Sequence, residues 1–275
     1  RGDLRSQATL LATRAWEAQR CGEAAPAEDF DHAREAAAAV GDPHLAREVN
    51  VLAAISLVYA GQPLQAIAVF EEYLGDVPTD VTTVPTEEAI EPPPVAEALF
   101  GPIAMAYAVA GQAPRAIDIA YRILDRGLTR SRPPLVHLAE VTLAHVYLTL
   151  RHLEGVREQA VNAYAYWKAE GTQPMYVWLS AVALAWVRMC ENQPQEAVAL
   201  LEVAHPARSA AGTNVYWGSA LFEVLLWLEQ NGLVPAGMTL ERELARLLDT
   251  PNPGMQAVAH RFRALLHLRA AEDGD

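Results

Sequence analysis

The sequence predicts an all-α chain in which helix hairpins stack serially into a solenoid, and three observations carry that reading. A turn phrase recurs along the chain, in Gly61-Gln62-Pro63-Leu64-Gln65-Ala66-Ile67, Gly111-Gln112-Ala113-Pro114-Arg115-Ala116-Ile117 and Asn192-Gln193-Pro194-Gln195-Glu196-Ala197-Val198. Apolar residues recur at helical spacing on both sides of each phrase. About half the chain is apolar, and the composition as a whole is rich in Ala, Leu, Glu and Arg, all good helix formers.

The phrase has a physical logic. Gly or Asn ends one helix in the left-handed conformation, and Pro opens the next where a missing N–H costs nothing. The Ala that follows sits where two helices approach most closely, and a larger side chain would push them apart. Weaker copies at Gly22, Arg151 and Gly232 complete the series, with separations of roughly 39, 50, 40, 41 and 40 residues. One repeat is therefore about 40 residues. The long interval holds Asp76 to Pro94, a Pro- and Thr-rich stretch with Glu87, Glu88 and Glu91 that reads as an inserted, solvated loop at 76–94.

The elements follow in order. Leu4 to Arg20 and Phe30 to Val40 begin the stack, and Val51 to Tyr59 with Ile67 to Leu74 surround the first strong turn. Next come Leu99 to Val109 with Ile117 to Leu128, Leu135 to Leu150 with Val156 to Trp167, and Met175 to Cys190 with Ala197 to Ala210. Tyr216 to Leu228 pairs with Leu240 to Leu248. Met255 to Ala271 closes the array as a capping helix, with Val258, Phe262, Leu265 and Leu266 on one face and Arg and His on the other. The reading is one domain over 1–275, about thirteen helices in about six pairs plus the cap, and no convincing strand.

At this level the chain resembles the tetratricopeptide repeat family, which places a small residue, an aromatic, an Ala and a larger apolar residue around the turn. Ala104, Tyr107 and Ala116 match in one repeat, and Ala144, Tyr147 and Ala160 in another. Ala54, Ala66, Phe70 and Pro78 match in a third, and Ala185, Ala197, Leu201 and Ala204 in a fourth. Leu57 and Arg188 replace the aromatic, Val156 replaces the turn-side Ala, and the period exceeds the family's usual length. The longer repeat, with phrases such as Gly41-Asp42-Pro43, looks like the sensor region of large bacterial ATPase regulators of the maltose-regulon-activator type. The resemblance implies a right-handed superhelical solenoid whose concave groove is lined by the first helix of each pair.

Charge narrows the possible partners. The net charge is -13, and Lys168 is the sole lysine. A nucleic-acid surface needs a dense basic stripe to displace counterions, so direct nucleic-acid binding and anionic membranes are disfavoured. No apolar run approaches the ~18 residues of a membrane span. A phosphate-cradling loop would need glycine before Lys168, where Trp167 stands. Cys21 and Cys190 lie far apart without metal-ligand spacing, which suits reduced thiols in a cytoplasmic protein. The opening Arg1-Gly-Asp3 lacks Met and a signal core, so the chain reads as a piece of something longer, and the tripeptide reads as accidental.

Catalytic chemistry is not legible, and the reading is of a chain that binds rather than an enzyme, with no cofactor and no metal. His137, His145, His152, His260 and His267 recur at spacings of seven or eight without the Glu-flanked i, i+4 pair of a zinc hydrolase. Carboxylate neighbours such as Glu71-Glu72 point about 100° apart on a helix and cannot share a proton. Cys190 stands at a helix end, where carbonyls raise its pKa. Ser180 and Ser219 read as capping or packing residues.

The notable concentration is aromatic. Tyr164, Tyr166, Trp167, Tyr176, Trp178, Trp186, Tyr216, Trp217, Phe222 and Trp227 fall within one stretch of the chain. Such residues fill the core between hairpins, but they also anchor ligands. By resemblance, Met105, Val141, His145, Val182, Trp186 and Phe222 would face the groove, with Trp178 and Trp217 near its rim, and Tyr176 and Tyr216 are further groove candidates. On that expectation, alanine at Trp178, Trp186 and Trp217 removes partner binding and leaves the thermal melt unchanged. The expected function is a scaffold for a protein, peptide or small effector in a larger bacterial regulatory protein. The alternative is a freestanding adaptor without an effector.

Overall fold

The structure, a computed structural model, describes residues 2–20, 23, 27–74, 100–211 and 219–272. Among these residues there are thirteen α-helices and no strand. They are α1 (Gly2–Arg20), α2 (Ala27–Val40), α3 (Pro43–Tyr59), α4 (Pro63–Leu74), α5 (Phe100–Val109), α6 (Ala113–Thr129), α7 (Pro133–Thr149), α8 (Leu153–Glu170), α9 (Pro174–Cys190), α10 (Pro194–Ala211), α11 (Ala220–Gln230), α12 (Leu240–Asp249) and α13 (Pro253–Glu272). The inserted loop expected at 76–94 lies outside the described residues. The chain forms two compact units, 1–142 and 143–275, with the boundary inside α7.

Helix ends are set by one local device. Gly61, Gly111 and Gly232 have φ of 75°, 79° and 70°, and Ser131, Arg151 and Asn192 adopt the same left-handed region at 51°, 59° and 56°. At each of these turns two backbone bonds close the helix end. Gln62 N donates to Leu57 O at 2.8 Å while Gly61 N donates to Val58 O at 3.1 Å, and Gln193 N donates to Arg188 O at 2.8 Å while Asn192 N donates to Met189 O at 3.1 Å. The pairing satisfies carbonyls that the helix itself leaves open. Further left-handed glycines stand at 41 and 171, so the turns at 131, 151, 171 and 192 follow one another at intervals of 20 or 21 residues. The turn phrase legible in the sequence marks only alternate members of this series.

The next helix is started as locally as the last one is stopped. Pro43, Pro63, Pro133, Pro174, Pro194 and Pro253 each stand first in a helix. Asp42 Oδ1 accepts from His44 N at 2.8 Å, Asn252 Oδ1 from Met255 N at 3.0 Å, and the imidazole Nδ1 of His152 from Gly155 N at 3.0 Å. These caps replace intrahelical partners that the first turn lacks.

Within unit 1 the substantial helix contacts join neighbours in the chain, α1 to α2, α2 to α3, α3 to α4, α4 to α5 and α5 to α6, or helices one place apart, α1 to α3 and α3 to α5. Within unit 2 the same order holds for α8, α9, α10, α11, α12 and α13, with α9 also meeting α11. Alanines permit the close approach. Ala54, Ala66, Ala104 and Ala116 in unit 1, and Ala144, Ala160, Ala185, Ala197 and Ala204 in unit 2, are fully buried. Larger side chains fill the space around them, Phe70 and Tyr107 in the first unit and Leu201, Val156 and Trp178 in the second. No helix among the described residues is long and apolar enough to cross a membrane.

Candidate functional site

The sequence-derived candidates that are described fall in both units, two in unit 1 and six in unit 2. In unit 1, Met105 lies on α5 and Val141 on α7, both buried. In unit 2, His145, Tyr176, Trp178, Val182, Trp186 and Phe222 are buried as well. Tyr216 and Trp217 lie outside the described residues. The side chains have separate settings. Tyr176 packs on Trp167 with ring centroids 4.9 Å apart, Phe222 meets Phe262 at 5.8 Å, and His145 Nε2 donates to the Leu179 carbonyl at 3.1 Å. All eight of the described groove candidates are buried in this structure. They occupy core positions, because burying a large aromatic surface between helices is worth more than displaying it to water.

The polar candidates are also absorbed locally. Of the two roles expected for it, Ser180 packs rather than caps. It lies inside α9, buried, where its Oγ donates to Tyr176 O at 2.6 Å and Val177 O at 3.2 Å. His137 Nδ1 donates to Glu140 Oε2 at 2.5 Å, and Thr142 Oγ1 donates to Leu138 O at 3.0 Å. Among the described residues no three His, Cys, Asp or Glu side chains converge as metal ligands would.

One constellation stands apart, at the C-terminal end of α9 in unit 2. Glu223, on α11, receives both terminal nitrogens of Arg151, Nη1 to Oε2 and Nη2 to Oε1, each at 2.5 Å. Ser219 Oγ donates to Oε1 at 2.6 Å and the Trp186 indole Nε1 to Oε2 at 3.2 Å. The Arg151 guanidinium also lies over the Trp186 ring, 5.9 Å from its centroid. A carboxylate with two oxygens thus takes four donors, in the fork geometry that matches a guanidinium. Its side chain is 19% exposed against 51% for Arg151, so the anion is enclosed and the cation is not.

Electrostatics follow the geometry. Burial pushes the Glu223 carboxyl up, but the bonds from Arg151, Ser219 and Trp186 outweigh it and hold the group below the usual carboxylate range. Cys190, a free thiol that reaches solvent, is pushed up by desolvation and by the neighbouring charge of Glu223 and Glu191, with Arg151 opposing. The direction expected at a helix end is found, and its causes are burial and carboxylates. Nearby, Glu191 accepts from Arg157 Nε at 2.9 Å and Arg188 Nη1 at 2.5 Å, and Arg188 Nε reaches Glu196 at 3.0 Å. Arg188 thus joins Glu191 and Glu196 in one ion-pair cluster.

The linkage gives a pH prediction. A carboxyl whose folded pKa lies below its unfolded value, about 4.3, stabilises the fold above that value, and the contribution is lost as pH falls through the folded pKa. Glu223→Gln is expected to cost about 1 kcal/mol at pH 7, a figure reduced because Arg151 is half exposed to solvent screening. The difference from wild type should begin to shrink below about pH 4.3 and be smaller at pH 3, as Glu223 takes up its proton. Urea melts at the two pH values measure it, and an equal cost at both would refute the charge-based account.

In sequence Arg151 reads only as a repeat turn, and Glu223 carries no motif. Two signals were available. Arg151 holds a turn position that Gly or Asn fills at Gly61, Gly111, Asn192 and Gly232, and Glu223 interrupts the apolar run Ala220-Leu221-Phe222 and Val224-Leu225-Leu226-Trp227-Leu228. A related arrangement occurs in unit 1, where Glu71 accepts from Arg115 Nη1 at 2.6 Å and from the Tyr107 hydroxyl at 3.2 Å, with the guanidinium 5.2 Å from the Tyr107 ring centroid. There the carboxylate is 45% exposed, so the pair is a surface one. Comparison with family profiles, curated proteins and solved structures finds no match to this chain.

Proposed function

We propose that the chain is a recognition scaffold, a right-handed superhelical solenoid of tetratricopeptide-like hairpins with a period of about 40 residues. On this reading it is the sensor or interaction region of a larger, cytoplasmic bacterial regulatory protein and binds a protein, a peptide or a small effector without transforming it. The observation that carries the reading is serial order within each unit: helices meet their chain neighbours, and α1, α3 and α9 also meet α3, α5 and α11 in turn. Serial stacking is how repeat arrays bury cores, because each hairpin exposes too much apolar surface to stand alone. The fully buried alanines beside the turns, at 66, 116 and 197, support the same reading, since they stand where the repeat phrase places them.

A thermal-shift screen against sugars, nucleotides and peptides tests the function. A ligand at a hundred times its Kd adds about 2.7 kcal/mol, and in a chain of this size about 1 kcal/mol moves Tm by 2–4 °C, so a cognate class should raise Tm by roughly 5–10 °C in a saturable way. A shift with peptides alone points to the adaptor role, and turnover of any probe during the screen defeats the binding-only reading.

A further inference from the structure

We infer that Trp186, Ser219 and Glu223 form a guanidinium receptor which the chain fills with its own Arg151, and which an arginine side chain of a partner can occupy in exchange. The inference deepens the scaffold reading by naming a site and a ligand class.

Three observations lead to it. The first is backbone strain. Arg151 has φ of 59° at a turn of the same kind as those where Gly61, Gly111 and Gly232 avoid any penalty. A side chain with a Cβ is disfavoured in that region, so what the arginine contributes comes through its guanidinium and not through the turn. The second is preorganisation on the receptor side. Ser219 Oγ at 2.6 Å and Trp186 Nε1 at 3.2 Å orient the Glu223 carboxylate independently of Arg151, and the Trp186 ring supplies the flat wall that a planar cation stacks on. The third is the asymmetry of exposure. The carboxylate is enclosed at 19% and Trp186 is buried, while the Arg151 side chain that covers them is 51% exposed. The receptor is thus a fixed part of the unit, and its occupant is the part that can leave. A net charge of -13 draws cations towards the chain, which favours an arginine-bearing partner over an acidic one.

Bidentate geometry sets the specificity. Two parallel N–H donors meet the two carboxylate oxygens, which a guanidinium supplies and an ammonium does not. Lysine is therefore the poorer ligand.

The experiment empties the receptor by Arg151→Gly, which suits the left-handed turn, and by Arg151→Asn, the residue found in that conformation at Asn192. The probe is the acetyl-amide of arginine, titrated by calorimetry, with the lysine equivalent as comparison. Both variants are expected to bind the arginine probe at least tenfold more tightly than wild type and than they bind the lysine probe, and Glu223→Gln added to Arg151→Gly should remove the gain. In an indole ¹⁵N spectrum the Trp186 Nε1–H resonance should move with the same titration curve. Equal affinity in wild type and variants, no preference for arginine over lysine, or a gain that survives Glu223→Gln overturns the receptor. That result leaves the scaffold reading standing if a ligand class still shifts Tm in the screen. Conversely, a screen without any shift defeats the scaffold while the emptied receptor still takes up the probe.

Discussion

Trp178→Ala is expected to destabilise the protein by about 3–5 kcal/mol, read as a fall in the urea midpoint at unchanged slope. Trp178 is 2% exposed and, among the described residues, is the bulkiest of the fully buried side chains. It lies in α9, whose residues from Tyr176 to Val187 are all buried and which packs on α8, α10 and α11. Truncation removes the transfer free energy of the indole and leaves a void that the close-packed surroundings close only in part. This reverses the expectation drawn from aromatic clustering, under which alanine at this position would leave the melt untouched. A loss below about 1 kcal/mol would show that the helices around α9 collapse onto the space, or that the indole is less enclosed than its packing states.

Gly127→Ala is expected to cost about 2 kcal/mol, against the sign that helix propensity alone assigns. Gly127 is buried in α6, where alanine would ordinarily gain about 1 kcal/mol over glycine. A Cβ there would stand 2.8 Å from the backbone N of Val136, 2.9 Å from Val136 Cγ2 and 3.2 Å from the Leu135 carbonyl carbon. The nearest obstacle is main chain, so no rotamer change relieves it, and α6 must move away from the start of α7. The Gly127 carbonyl also accepts the Arg132 N–H at 2.8 Å in the turn between them, which the movement would stretch. The companion is Thr129→Ala, two residues on and exposed, which should gain a few tenths of a kcal/mol by propensity alone. Equal gains at both positions would refute the close approach.

Gly155 shows how such constraints escape sequence reading. An added Cβ would lie 2.7 Å from the Tyr147 ring and 2.8 Å from His152 Nδ1, the atom that caps α8. In sequence Gly155 is a glycine near a helix start, a place that asks for no explanation. Only its neighbours across the turn make it obligatory.

Helix order, helix ends and charge were legible because their causes are local. A 3.6-residue apolar period, a left-handed Gly or Asn and a following Pro act within a few residues of themselves, and the turns at Gly61, Gly111 and Asn192 adopt the conformation their residue types imply. Which side chains meet was decided by tertiary structure. Arg151 and Glu223 are 72 positions apart and share no motif, and the described aromatic candidates are buried only through what packs against them. Sequence spacing states which face of a helix a residue is on, whereas burial and ion pairing depend on the distance to other helices, and that distance exists only once the helices have stacked.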